Sequence, residues 1–163
     1  MTGTHRCRQH VRSLTSGSDP QGDIRLTGAG GDTHTRRTMQ AYDPLIQPDA
    51  DAWSALPEER RINLVQAYHL ASGVPTAKAR GHAVFHVVVE NQVALAQATP
   101  VVRALARLMA EGLDRHEAVH AVASVLAQHL NALMKSDTKP LSDNATYYAR
   151  LERLSARTWR PRR

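Results

Sequence analysis

The sequence predicts an all-α protein, an up-down helical bundle of four to five helices preceded by a disordered N-terminal extension. Three observations predict it. Apolar residues recur at helical spacing through most of the chain after Pro48, the pattern of helices that bury one face. Start and stop signals bracket most of the periodic runs. The loops between runs are short, which makes successive helices antiparallel neighbours.

Taken in order, residues 1–38 are rich in Gly, Ser, Thr, Arg and Asp and show neither helical nor strand periodicity. A stretch such as "TSGSDPQGDIRLTGAGGDTHT" buries too little apolar surface to offset the entropy of ordering it. The change of character at Met39 points to translation starting there, with 1–38 an over-extended start. Residues 39–158 then form one helical domain, and 159–163 a basic tail. "SALPEERRINLVQAYHLASG" has Pro57 before an acidic first turn, Ile62, Val65 and Tyr68 at helical spacing, and Gly73 as a stop. "TAKARGHAVFHVVVENQVALAQ" contains a β-branched run that suits a strand. Its apolar character continues for over twenty residues without a turn signal, and that length favours a helix. "TPVVRALARLMAEG" offers Thr99 as N-cap, Pro100 as first helical residue and Gly112 beyond the last turn. "DRHEAVHAVASVLAQHLNALMK" opens with Asp114, and Glu117 three residues on completes a capping box. "ATYYARLERLSARTW" reads as a last amphipathic helix with arginines on its outer face.

The net charge of +6 is unevenly spread. Residues 1–38 carry six Arg against three Asp, and residues 150–163 carry six Arg against Glu152 alone. That leaves nine basic against eleven acidic side chains in 39–149, a net of −2. A mildly acidic domain with seven aromatics in all argues against a nucleic-acid partner, which needs a basic face and rings to stack bases. The single cysteine, Cys7, excludes an internal disulfide and a cysteine zinc site. No apolar run approaches a membrane span and the N-terminus lacks the apolar core of a signal peptide, so the expected setting is cytoplasmic.

The chemistry-bearing residues lie on two of these helices. In "HAVFHVVVE", His82, His86 and Glu90 follow one another at i+4, hence on one stripe of an otherwise apolar helix. In "RHEAVH", His116 and His120 repeat that spacing. Both helices are antiparallel to the one between them and can pack side by side, which would gather His82, His86, Glu90, His116 and His120 in an apolar interior. Imidazoles and carboxylates in that number suit a divalent ion, zinc or iron, at a structural or hydrolytic centre. His82 and Glu90 stand roughly 12 Å apart along a helix axis, too far to share one ion. Glu117, or else Glu90, is the catalytic base if the centre is hydrolytic, and whether the protein is an enzyme stays open. The competing reading is an interaction module, binding a protein partner or itself, whose histidines form a buried polar network. A third reading is a nucleic-acid accessory role through the arginine-rich ends. His69 and His129 have no histidine at helical spacing and read as structural.

"HEAVH" has the His-Glu-x-x-His form of zinc peptidases. No third ligand follows at the spacing those enzymes use, and the capping box accounts for Glu117 without chemistry. The peptidase reading is therefore set aside. "HAVFHVVVENQVAL", "EGLDRHEAVHAVASVLAQHL" and "YDPLIQPDADAWSALPEERRINLVQAYH" together resemble the small proteobacterial proteins of the domain of unknown function 1841 family, from about Met39 to Met134. The resemblance implies a bacterial, single-domain protein starting at Met39 and names no substrate.

Overall fold

The computed structural model describes residues 39–135 and 144–159, all within the compact unit Arg37–Arg163. The expectations for 1–38 and for the end of the tail lie outside the described residues. What is described is all-α: α1 (Ala50–Ser54), α2 (Glu58–Ala71), α3 (Thr76–Ala94), a 3₁₀ turn (Ala96–Ala98), α4 (Val101–Ala110), α5 (Arg115–Lys135), α6 (Ala145–Arg153) and α7 (Ala156–Trp159). Among the described residues no helix is long and apolar enough to cross a membrane.

The four longer helices begin and end where local chemistry demands. Pro57 and Pro75, with φ near −57°, precede the first turns of α2 and α3, where a missing N–H costs nothing. Gly73 at φ 87° and Gly112 at φ 94° close α2 and α4. Each closure is a Schellman motif: Val74 N–H donates to the His69 carbonyl and Gly73 N–H to Leu70, as Leu113 does to Leu108 and Gly112 to Met109. α5 opens on the expected capping box, with Glu117 N–H donating to Asp114 Oδ1 at 2.7 Å and Asp114 N–H to Glu117 Oε2 at 3.2 Å.

Three details depart from the sequence expectation. α3 stops at Ala94, and the chain turns through Ala96 at φ 49° instead of continuing to Gln97. Thr99 is not the cap of α4; Pro100 holds that position, and the Thr99 hydroxyl turns back to donate to the Gln92 carbonyl near the end of α3. The last predicted helix is two, broken at Leu154–Ser155, because Ser155 caps a new start: its Oγ accepts from Thr158 N–H while Thr158 Oγ1 accepts from Ser155 N–H. Arg107 of α4 holds the break by donating to the carbonyls of Leu151 and Leu154. A single capped turn, α1, also precedes α2, with Asp49 accepting from Ala52 N–H.

α3 packs against α1, α2, α4 and α5, and α5 packs against α3, α4, α6 and α7. The expected side-by-side pair is therefore α3 and α5. Two apolar clusters flank the pair. One joins Tyr42, Trp53, Ile62, Leu64 and Val65 to Ala83 and Val87 of α3. The other joins Val89 and Val93 of α3 to α4, α5, α6 and Ala156. Each fully buried Val or Leu in them contributes about 1.5–3 kcal/mol relative to exposure. The helices are thus held in register by ordinary side-chain burial, and the polar residues they carry are placed by it.

Candidate metal centre

Five histidines converge where α2 ends, α3 begins its second turn and α5 begins. His82 and His86 come from α3, His116 and His120 from α5, and His69 from the last turn of α2. His69 and His86 are 1% and 0% exposed, while His82, His116 and His120 are half-buried. His86 is the hub. Its ring centre lies 4.5 Å from His69, 4.8 Å from His82, 5.3 Å from His116 and 4.7 Å from His120. Around it run the contacts His69–His82 at 4.2 Å, His82–His120 at 4.9 Å, His120–His116 at 4.3 Å and His116–His69 at 5.3 Å.

Ligand atoms of His69, His82, His86 and His120 all lie within 4.8 Å of one another. His82 Nε2 and His120 Nε2 stand 3.1 Å apart, close to the roughly 3.0–3.4 Å between two nitrogens bound to one ion at about 2.1 Å. His116 falls outside that set of four, but its ring touches three of the others and its buried Nε2 has no hydrogen-bond partner. The same holds for His69 Nε2 and for both nitrogens of His86. A buried polar atom left without a partner costs about 1–3 kcal/mol, and such atoms are rare enough in folded proteins that several in one place ask for a ligand.

The electrostatics suit a cation arriving at neutral ligands. Burial depresses the pKa of every ring in the group: His69 to about 3, with help from His82 and His116; His120 to about 3; His116 to about 4, against the opposing pull of Asp114 and Asp43. His82 shifts the same way by burial, and His86 further still, by burial and by the four imidazoles around it. All five rings are neutral at pH 7, the state in which imidazole has a lone pair to give.

Glu90 does not join this group. The structure places it one turn further along α3, 1% exposed, in a two-pronged ion pair with Arg115 at 2.7 and 2.8 Å. Tyr42 donates to the same carboxylate at 2.7 Å, and Arg115 also donates to the Pro44 carbonyl at 2.8 Å. Burial and the Glu90 carboxylate raise the Tyr42 pKa above its ordinary value. Burial works against the Arg115 guanidinium, but Glu90 outweighs it and the pKa rises. Glu117, the expected base of a hydrolytic centre, is exposed and occupied in the helix cap.

His69 is the ligand candidate that sequence reasoning placed elsewhere, as a structural histidine. It has no histidine partner on its own helix, and its neighbours come from α3 and α5. A signal was present nonetheless: His69 follows Ile62 and Val65 at i+7 and i+4, on the buried stripe of α2. His129 lies apart, buried beside Tyr147 at 5.6 Å between ring centres. The chain matches no protein-family model, no curated protein and no solved structure.

Proposed function

We propose that the protein binds a single divalent first-row transition metal between α2, α3 and α5 through His69, His82, His86 and His120, with His116 at hand as a fifth ligand. One observation carries the reading: His86 is wholly buried among four other imidazoles and neither of its ring nitrogens has a hydrogen-bond partner among the described residues. A polar hydrogen-bonded network, the competing explanation of buried histidines, leaves few such atoms. A bound ion takes one nitrogen from each ring and replaces several unmet bonds at once.

The ligand set is wholly imidazole. Zinc, nickel, cobalt, copper and ferrous iron accept it, whereas magnesium, calcium and manganese favour oxygen donors. Neither glutamate expected as a base is placed to act at the ion, because Glu90 is committed to Arg115 and Glu117 to the cap. A role that ties three helices together, or that uses the ion without a protein base, fits the residues better. The test is elemental analysis of untagged protein after exposure to zinc, nickel and cobalt. About one equivalent is expected, lost on combining His86→Ala with His120→Ala, together with a melting temperature that falls on chelation. A protein that takes up no metal and melts identically with and without chelator overturns the proposal.

A further inference from the structure

The spacing of the five rings says what coordination the ion would have, and so what else it can bind; the inference rests on the metal-binding reading above. With metal–nitrogen bonds of about 2.1 Å, each imidazole centre stands roughly 3.2 Å from the ion. A tetrahedral ion would then hold its four ring centres all about 5.2 Å apart, while an octahedral ion holds neighbours about 4.5 Å and opposites about 6.4 Å apart. Among His69, His82, His86 and His120, five of the six separations run from 4.2 to 4.9 Å and the sixth, His69–His120, is 6.1 Å. That is the octahedral pattern with His69 opposite His120.

His116 extends it. Its ring is 4.3 Å from His120, and 5.3 Å from both His69 and His86, a neighbour of three. Those three rings are the neighbours of the place opposite His82, and the buried Nε2 of His116, without a hydrogen-bond partner among the described residues, makes it the candidate for that place. The five rings form a square pyramid. His69, His82, His120 and His116 are its base and the wholly buried His86 is its apex. Among the described residues no histidine stands opposite His86.

We infer that the bound ion keeps one exchangeable coordination position, opposite His86, and that a small monodentate anion occupies it. Neutral imidazoles leave the ion its full double positive charge, and the carboxylates whose charge reaches the group, Asp114 and Asp43, act on His116 and are not among the candidate ligands, which favours an anionic sixth ligand over a neutral one. The position makes the centre a binding site in its own right and not only a bolt between helices.

Cobalt(II) substitution with azide as the probe tests this on the full chain. Four-coordinate cobalt absorbs visible light strongly, and five- or six-coordinate cobalt weakly. The expected result is a weak visible spectrum at full loading that shifts saturably as azide is added. Full loading with an intense spectrum of the tetrahedral type, or with any spectrum indifferent to azide, overturns the exchangeable position while leaving the metal site standing. Failure to take up cobalt at all overturns the metal site and this position with it.

Discussion

At Glu90 every charge has its partner, whereas one turn back along α3, at His86, neither ring nitrogen has one. Both side chains are buried to within 1% of full enclosure, and both face α5, Glu90 meeting Arg115 and His86 meeting His116 and His120. The difference separates two uses of buried polarity. The Tyr42–Glu90–Arg115–Pro44 clamp is complete by itself and fastens residues 42–44 to the two central helices. The histidine group is incomplete by itself, five neutral imidazoles of which His69, His86 and His116 keep buried ring nitrogens without a hydrogen-bond partner among the described residues. A completed network specifies structure, and an uncompleted one calls for an explanation, which the proposed ion supplies.

Acid tests the histidine side of that contrast most severely. In the folded protein His69 and His120 titrate near pH 3 and His116 near pH 4, whereas in the unfolded chain they titrate near 6.5. Between those limits the unfolded state binds more protons, so stability rises with pH across the window and is lost as pH falls from 6.5 through about 4 and 3. Metal-free protein should show a denaturant midpoint that is flat above pH 7 and drops steadily below 6.5. A midpoint unchanged down to about pH 4.5 would mean that the rings are already protonated or solvated in the folded state, contrary to their burial.

Substitution then compares the two regions directly. Arg115→Met strands the Glu90 carboxylate in an apolar interior and should cost about 3–5 kcal/mol, read from chemical denaturation. His86→Leu removes two unmet nitrogens and fills their space with carbon, so in metal-free protein it should change stability by no more than about 1 kcal/mol in either direction. Added metal narrows the gap, because Arg115→Met gains stability by mass action as wild type does and His86→Leu does not. The ranking reverses once that gain exceeds the deficit of about 3–5 kcal/mol, at roughly 1,000 times Kd or above. If the leucine variant is instead as damaged as the methionine one without metal, His86 has hydrogen-bond partners in solution and the contrast collapses.

The sequence made much of this legible, for a physical reason. Helix periodicity acts over four residues, so His82, His86 and Glu90 on one helix, and His116 and His120 on another, could be assigned to common faces by counting. The short connections around α4 then put the two faces together. What counting could not settle was which residue across the interface meets which. Glu90 and the histidines share a stripe, yet Arg115, which no spacing or cap pattern singles out, pairs with the carboxylate at 7% exposure. His69 joins from a third helix, by a tertiary contact that no spacing within its own helix encodes. The break at Leu154 was hidden because Ser155 and Thr158 look like ordinary surface residues until their reciprocal bonds are seen.

The smallest expected effect concerns Glu117, the residue that gives "HEAVH" its resemblance to a peptidase. Its carboxylate accepts one backbone hydrogen bond at the surface end of α5, from Asp114 N–H at 3.2 Å, and it belongs to no metal-ligating group among the described residues. Glu117→Ala should therefore cost only about 0.5–1 kcal/mol, the range of a weakened helix cap, and leave metal content and the cobalt spectrum as in wild type. Asp114→Ala should cost somewhat more, since its Oδ1 holds the shorter bond at 2.7 Å. A Glu117 variant that loses metal, or that alters the response to azide, would place this carboxylate beside the ion and restore the hydrolytic reading. Unchanged metal binding with a slightly weaker helix start would leave the histidines of "HEAVH" facing the ion and its glutamate facing the backbone.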